Sequence, residues 1–196
     1  MSTNTTRVQH EPIVQESKFA RTLFAETGPA AAVWAVLRIW LGFEWLSAGW
    51  GKLTGPGRDA WLSGEAVQGF AAGALERGTG GENPAIAYGW YEAFLAFIRD
   101  TFYPVMGPMV MFGQIVIGVL LILGAFTGIA ALLGVILNFS FIFAGTAGVN
   151  PMYLLVGLLL MLAWRNAGYY GLDRWLLPKV GTPFRGGAEG PGTAER

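Results

Sequence analysis

Cysteine is absent from this chain, and histidine occurs once, as His10. Without cysteine there is no disulfide exchange, no thiolate nucleophile, no iron–sulfur cluster and no thiol-ligated zinc. His10 lies in a polar N-terminal stretch, so axial histidine ligation of haem inside a membrane and a His-rich metal site are excluded as well. Electrons that pass through such a protein must be carried by a bound organic cofactor or by a partner. Charge is also scarce. Asp, Glu, Lys and Arg make up 13% of the residues, against about 25% in an average soluble domain. The formal net charge is zero, so nothing in the balance points to nucleic acid or to an acidic substrate.

Apolar residues fill the space that charge leaves. They account for 53% of the 196 residues, and the mean hydropathy is +0.45, which argues for an integral membrane protein. The 29 glycines are scattered through apolar runs, where they suit close helix packing in lipid. Four stretches approach the roughly 20 residues needed to cross the hydrocarbon: about Pro29 to Trp50, Pro104 to Phe126, Gly128 to Gly148 and Pro151 to Ala167. The last is short. The expected fold is all-α, an integral membrane four-helix bundle over residues 29–178, with an extracytoplasmic helical loop at about 52–103 between the first two spans. Residues 1–28 read as a cytoplasmic tail without the basic-then-apolar layout of a secretory signal, and 179–196 as a flexible C-terminal tail.

Basic residues set the orientation. Arg7, Lys18 and Arg21 precede the first span, and Arg165, Arg174, Lys179 and Arg185 flank or follow the last. Those of the first loop are thinly spread. Both termini are therefore expected in the cytoplasm, with the chain multi-pass in the cytoplasmic membrane. Within the loop, Trp61, Leu62, Val67, Phe70 and Leu75 recur at partly helical spacing. Asn83–Pro84 predicts a helix start, ahead of Tyr88, Trp90, Tyr91, Phe94, Phe97 and Phe102. Such aromatics suit the membrane–water interface, either as a roof over the bundle or as a lid over a ligand entrance.

Arg38 and Glu44 are the anomaly of the first span, because a charge near the centre of a span costs about 2.5–3.5 kcal/mol even on a lenient scale. Six positions rotate a helix by about 600°, so the two side chains diverge by about 120° and should meet polar groups on other helices. Gln114, Asn138 and Ser140 are the candidates. Arg38, Glu44, Gln114 and Asn138 then form an expected polar cluster at mid-depth. It serves either as a buried network that fixes helix register or as a site for a quinone headgroup or a small anion. In the second case Arg38 supplies charge and donors, Glu44 accepts or relays a proton, and Gln114 and Asn138 orient carbonyl oxygens. No metal is expected.

Four strings run in order through the membrane region: RIWLGFEWLSAGWGKL from Arg38 to Leu53, GQIVIGVLLILGAFTG from Gly113 to Gly128, AGTAGVNPMYL from Ala144 to Leu154, and YYGLDRWLLP from Tyr169 to Pro178. Together they resemble the DoxX family, whose first helix carries an arginine, an apolar turn, a small-residue AG and then KL. The resemblance implies a four-helix membrane bundle, and the family includes the DoxD-type small subunit of thiosulfate:quinone oxidoreductase. One departure is Gln114, where relatives commonly carry an acid that could titrate. The resemblance thus implies a redox-associated membrane subunit serving quinone-linked oxidation of a sulfur compound such as thiosulfate. A non-catalytic scaffold or anchor for soluble redox enzymes is the alternative, and a small-solute transporter a further one. The partners expected are the bilayer, a second redox subunit or soluble redox enzyme, and, in a homo-oligomer, another copy of the chain.

Overall fold

The computed structural model describes residues 17–24, 28–78 and 86–180. Every regular element among them is helical. A short helix α1 (Lys18–Phe24) precedes α2 (Pro29–Thr54). Two loop helices, α3 (Arg58–Ser63) and α4 (Glu65–Arg77), lead to α5 (Gly89–Phe97). A π-helical turn over Ile98–Phe102 joins α5 to α6 (Tyr103–Leu123). Then come α7 (Thr127–Phe143), α8 (Asn150–Leu162), α9 (Trp164–Ala167) and α10 (Asp173–Val180). Asn83 and Pro84 lie outside the described residues, as does His10; α5 follows Tyr88, which is extended at φ −127°. The segment read as a cytoplasmic tail contains α1, whose Leu23 carbonyl accepts hydrogen bonds from Trp34 Nε1 (2.7 Å) and Asn166 Nδ2 (3.0 Å). Part of that segment is therefore docked on the bundle.

Proline shapes the start of α6. Pro104 has no N–H to donate to the carbonyl four residues back, and its ring crowds that carbonyl. The preceding turn is widened into the π-helical segment Ile98–Phe102, a single turn within a helical run, the form in which this rare helix mostly occurs. The result is one apolar run over Gly89–Leu123. Together with Pro29–Thr54 it is long and apolar enough to cross a membrane, whereas Thr127–Phe143 and Asn150–Leu162 are apolar but shorter.

The helices α2 and α6 lie antiparallel at very short range. A Cβ placed on Gly118 would sit 2.5 Å from the Leu46 nitrogen and 2.7 Å from the Gly42 carbonyl oxygen, and one on Gly49 would meet the Ile115 nitrogen at 2.8 Å. Glycine allows this approach. Trp34, Leu41, Trp45, Ile117, Leu121 and Leu160 fill the bundle core, and a second core of Val67, Ala71, Tyr91, Leu95 and Ile98 forms beneath the loop helices.

The polarity of the bundle is inverted relative to a water-soluble one. Val36, Phe43, Val116, Ile129, Ile136 and Leu155 are all more than half exposed, on the outer faces of α2, α6, α7 and α8. The interior, by contrast, holds Arg38, Gln114, Asn138, Asn166 and Asp173.

Candidate functional site

Arg38 and Glu44, two of the four side chains expected to cluster, hydrogen-bond to different partners. Arg38 is 1% exposed and is spent on backbone. Its Nε donates to the Ala167 carbonyl at 3.0 Å, Nη1 to those of Leu121 and, at 3.0 Å, Ile122, and Nη2 to that of Tyr170 at 3.3 Å. The end of α6 leaves carbonyls without intrahelical partners, and the guanidinium satisfies them. Gly124, in the left-handed region at φ 65°, lies so close that a Cβ there would come within 2.7 Å of Arg38 Cζ.

Asp173 completes this end of the bundle. Its carboxylate accepts from the Phe126 nitrogen (2.6 Å) and the Thr127 nitrogen (2.9 Å), while its own nitrogen donates to the Gly124 carbonyl at 2.7 Å. A carboxylate on the free N–H groups opening α7 is favoured by the helix dipole as well as by the bonds. Arg38 and Asp173 therefore clamp the α6–α7 turn from opposite sides. Neither side chain presents a free face to a ligand.

Glu44 has a different environment. It lies about 9 Å further along α2 than Arg38 and accepts a hydrogen bond from the Tyr153 hydroxyl at 2.8 Å. Both residues are half-buried, and Tyr153 packs edge-on against Trp40 and tilted against Trp45, with ring centroids 5.7 and 6.4 Å apart. A carboxylate, a phenol and an exposed indole thus share one patch on an otherwise apolar wall.

Gln114 and Asn138 are both buried, on α6 and α7 respectively. Gln114 stands one turn before Gly118 on the face of α6 that meets α2. Asn138 stands one turn beyond Gly134, whose Cβ, if present, would lie 3.2 Å from Trp45 Nε1. Gln114 Oε1, both polar atoms of the Asn138 amide and Trp45 Nε1 are buried without a protein hydrogen-bond partner. Ser140, the fifth candidate, returns its hydroxyl to the Ile136 carbonyl at 3.0 Å, and its own carbonyl accepts from the Tyr91 hydroxyl. Above this level an apolar cavity of about 100 Å³ is lined by Phe70, Tyr91, Phe94, Leu95 and Val110 among others. The loop aromatics thus act as its walls.

No family model, no curated protein sequence and no solved structure matches this chain. The chemistry on offer is read from side chains alone. Among the described residues no group of three or more His, Asp or Glu gathers as a metal site would require. What can act on a ligand is the Glu44 carboxyl, able to accept a hydrogen bond or, protonated, to donate one, and the Tyr153 hydroxyl beside it.

Sequence reasoning did not single out Asp173 or Tyr153. The signal for Asp173 is present in retrospect: an acid opening an amphipathic segment is a helix-start pattern, and it is the sole acid between Gly124 and Val180. Tyr153 carries no local signal beyond its apolar surroundings.

Proposed function

We propose that this chain is a DoxX-type membrane protein that crosses the bilayer four times and holds a quinone headgroup at the lateral Glu44–Tyr153 patch, in the service of quinone-linked oxidation. The bilayer reading rests on the inverted polarity, because an apolar outer face on every long helix around a polar interior is favourable in lipid and unfavourable in water. The resemblance gains support from the contacts that join all four strings. Arg38 of the first reaches Leu121 and Ile122 of the second and Tyr170 of the fourth, and Glu44 of the first bonds Tyr153 of the third.

The observation that carries the quinone reading is the Glu44–Tyr153 hydrogen bond on a membrane-facing wall, beside the exposed face of Trp40. A bound quinone would supply the electron and proton acceptor that the chain's own residues lack. Glu44 and Tyr153 fit its carbonyl oxygens as donors and its protons as acceptors. Arg38 does not fit that role, since its donors are engaged with carbonyls.

In reconstituted protein, Glu44→Gln and Tyr153→Phe are each expected to weaken binding of a short-chain quinone about tenfold, the value of one charge-assisted hydrogen bond. Titration of quinone against intrinsic tryptophan fluorescence measures this. Equal binding by wild type and both variants, or none by any, would overturn the quinone reading.

Four crossings with basic ends inside give a second expectation. Cysteines placed singly at Thr5, Gly80 and Thr193 should differ towards an impermeant maleimide added to intact cells, with only the one at position 80 labelled. Labelling at position 5 or 193 would reverse the topology.

A scaffold for a soluble redox enzyme is the second reading, favoured by the exposed aromatics of the α5 region: Tyr88, Trp90, Phe94 and Phe97 are 39–62% exposed. Co-purification of such an enzyme, lost on Trp90→Ala, supports it over the quinone site.

A further inference from the structure

The second core, beneath the loop helices, does not close. A chamber of about 100 Å³ remains between α4, α5, α6 and α7, in an interior where voids much larger than a water molecule are few. Val67, Ala71, Tyr91, Leu95, Ile98 and Val110 face it, and all six are buried. Both hydroxyls on its wall are engaged. Tyr91 donates to the Ser140 carbonyl, and the Ser140 hydroxyl donates to the Ile136 carbonyl at 3.0 Å. A resident water needs about two to four polar partners, which so apolar a wall does not offer.

Size narrows the occupant further. Pockets for drug-sized ligands run to roughly 300–1,000 Å³, and a space with buried walls is closed to a peptide segment or a second copy of the chain. By contrast, an apolar cavity of about 150 Å³ stays dry and takes up benzene or xenon. The chamber also has an entrance. On the outer side of α5 and α7 lies a groove of about 390 Å³, and Tyr91, Phe94 and Ser140 line both spaces. The hydrogen bond from Tyr91 to Ser140 therefore ties α5 to α7 where groove and chamber meet. Trp90, Ile136 and Phe139 along the groove are exposed, which gives it an apolar mouth.

We propose that the chamber is a binding site for one compact apolar molecule without hydrogen-bonding groups, no larger than about a single hydrocarbon ring, admitted between Tyr91 and Phe94 from the α5–α7 groove. Neither Glu44 nor Tyr153 is among its lining residues, so occupancy is independent of the quinone reading. Entry from lipid rests on the membrane reading above, which the topology labelling tests separately.

The experiment is fluorine NMR of fluorobenzene offered to the full chain in neutral detergent, with empty micelles as the blank. Saturable binding at one site per chain is expected, and a two-ring fluoronaphthalene should not compete. Val67→Phe, which places a ring inside the chamber, should weaken binding about tenfold or more while the ligand-free melting temperature holds or rises, as cavity filling does. Val67→Leu, the milder filling, should weaken it in the same direction. Tyr91→Phe unties α5 from α7 and should speed exchange of the probe, and Ile136→Trp, in the groove but outside the chamber, should slow it. Both should leave the affinity within about twofold. Uptake no greater than in empty micelles, binding unchanged by both Val67 variants, or equal competition by fluoronaphthalene would overturn the proposed site. Exchange untouched by both Tyr91→Phe and Ile136→Trp would overturn the entrance. Adducts between a photoreactive residue in place of Val110 and lipid or detergent chains would assign the chamber to a chain end instead.

Discussion

Arg38→Leu is expected to cost about 3–5 kcal/mol of stability, the usual penalty for breaking a buried charged network by removing one member. The Ile122 and Ala167 carbonyls lose their donor, and the Asp173 carboxylate loses the cation across the α6–α7 turn. Asp173→Asn should fall in the same range, because it weakens the two amide contacts that open α7. The double variant should lose less than the sum, since the groups share one turn. Arg38→Leu and Glu44→Gln, by contrast, should add to within about 0.5 kcal/mol, as expected of sites without common partners. Unfolding of the three single and two double variants in mixed micelles, followed by tryptophan fluorescence, gives these values. Additivity of Arg38 with Asp173, or strong coupling of Arg38 with Glu44, would refute the clamp and restore a single polar cluster.

Gly118→Ala should be nearly as damaging for an unrelated reason. Its new methyl group would meet backbone on both sides, 2.5 Å from the Leu46 nitrogen and 2.7 Å from the Gly42 carbonyl oxygen. Backbone atoms cannot rotate away, so α2 and α6 must separate, at the upper end of the roughly 1–3 kcal/mol typical of overpacking. Gly113→Ala is the matched control on the same helix, with nothing within 4 Å of its added carbon. It should leave the melting temperature unchanged or raised, alanine being the better helix former by about 1 kcal/mol. Size-exclusion profiles and melting curves of the two variants, measured side by side, decide the matter. Equal behaviour would mean that the helix crossing is looser than drawn.

Helix starts were legible in the sequence because proline marks them. Pro29, Pro104 and Pro151 each stand in the first turn of α2, α6 and α8, where a missing N–H costs nothing. Ends were less legible. The stretch predicted to reach Gly148 stops as α7 at Phe143, and the one predicted to reach Ala167 breaks at Ala163 between α8 and α9, since apolar content continues past the last helical turn and hydropathy alone does not see a cap. Arg38 stood out at once as a costly residue, but its partners did not. Backbone carbonyls belong to every residue, so no side-chain inventory can name the four that a guanidinium will find. Gln114, Asn138 and Glu44 were visible as polar exceptions on apolar helices, yet which of them share a neighbour depends on the antiparallel register of α2 and α6. That register is set by glycine contacts distant in sequence.

The clamp also orders the biogenesis of the chain. Arg38 emerges from the ribosome 83 residues before Leu121 and 129 before Ala167, so on the membrane reading proposed above the first span would enter the bilayer with a guanidinium that none of its eventual acceptors can yet receive. Until they arrive, that charge is tolerated only by reaching toward the headgroups or by drawing water inward. The earliest of the long helices to be made thus waits on elements made after it. On that reading, a product halted before Leu121 would present an intramembrane cation with none of its acceptors, and one halted before Ala167 would lack the acceptor of Arg38 Nε.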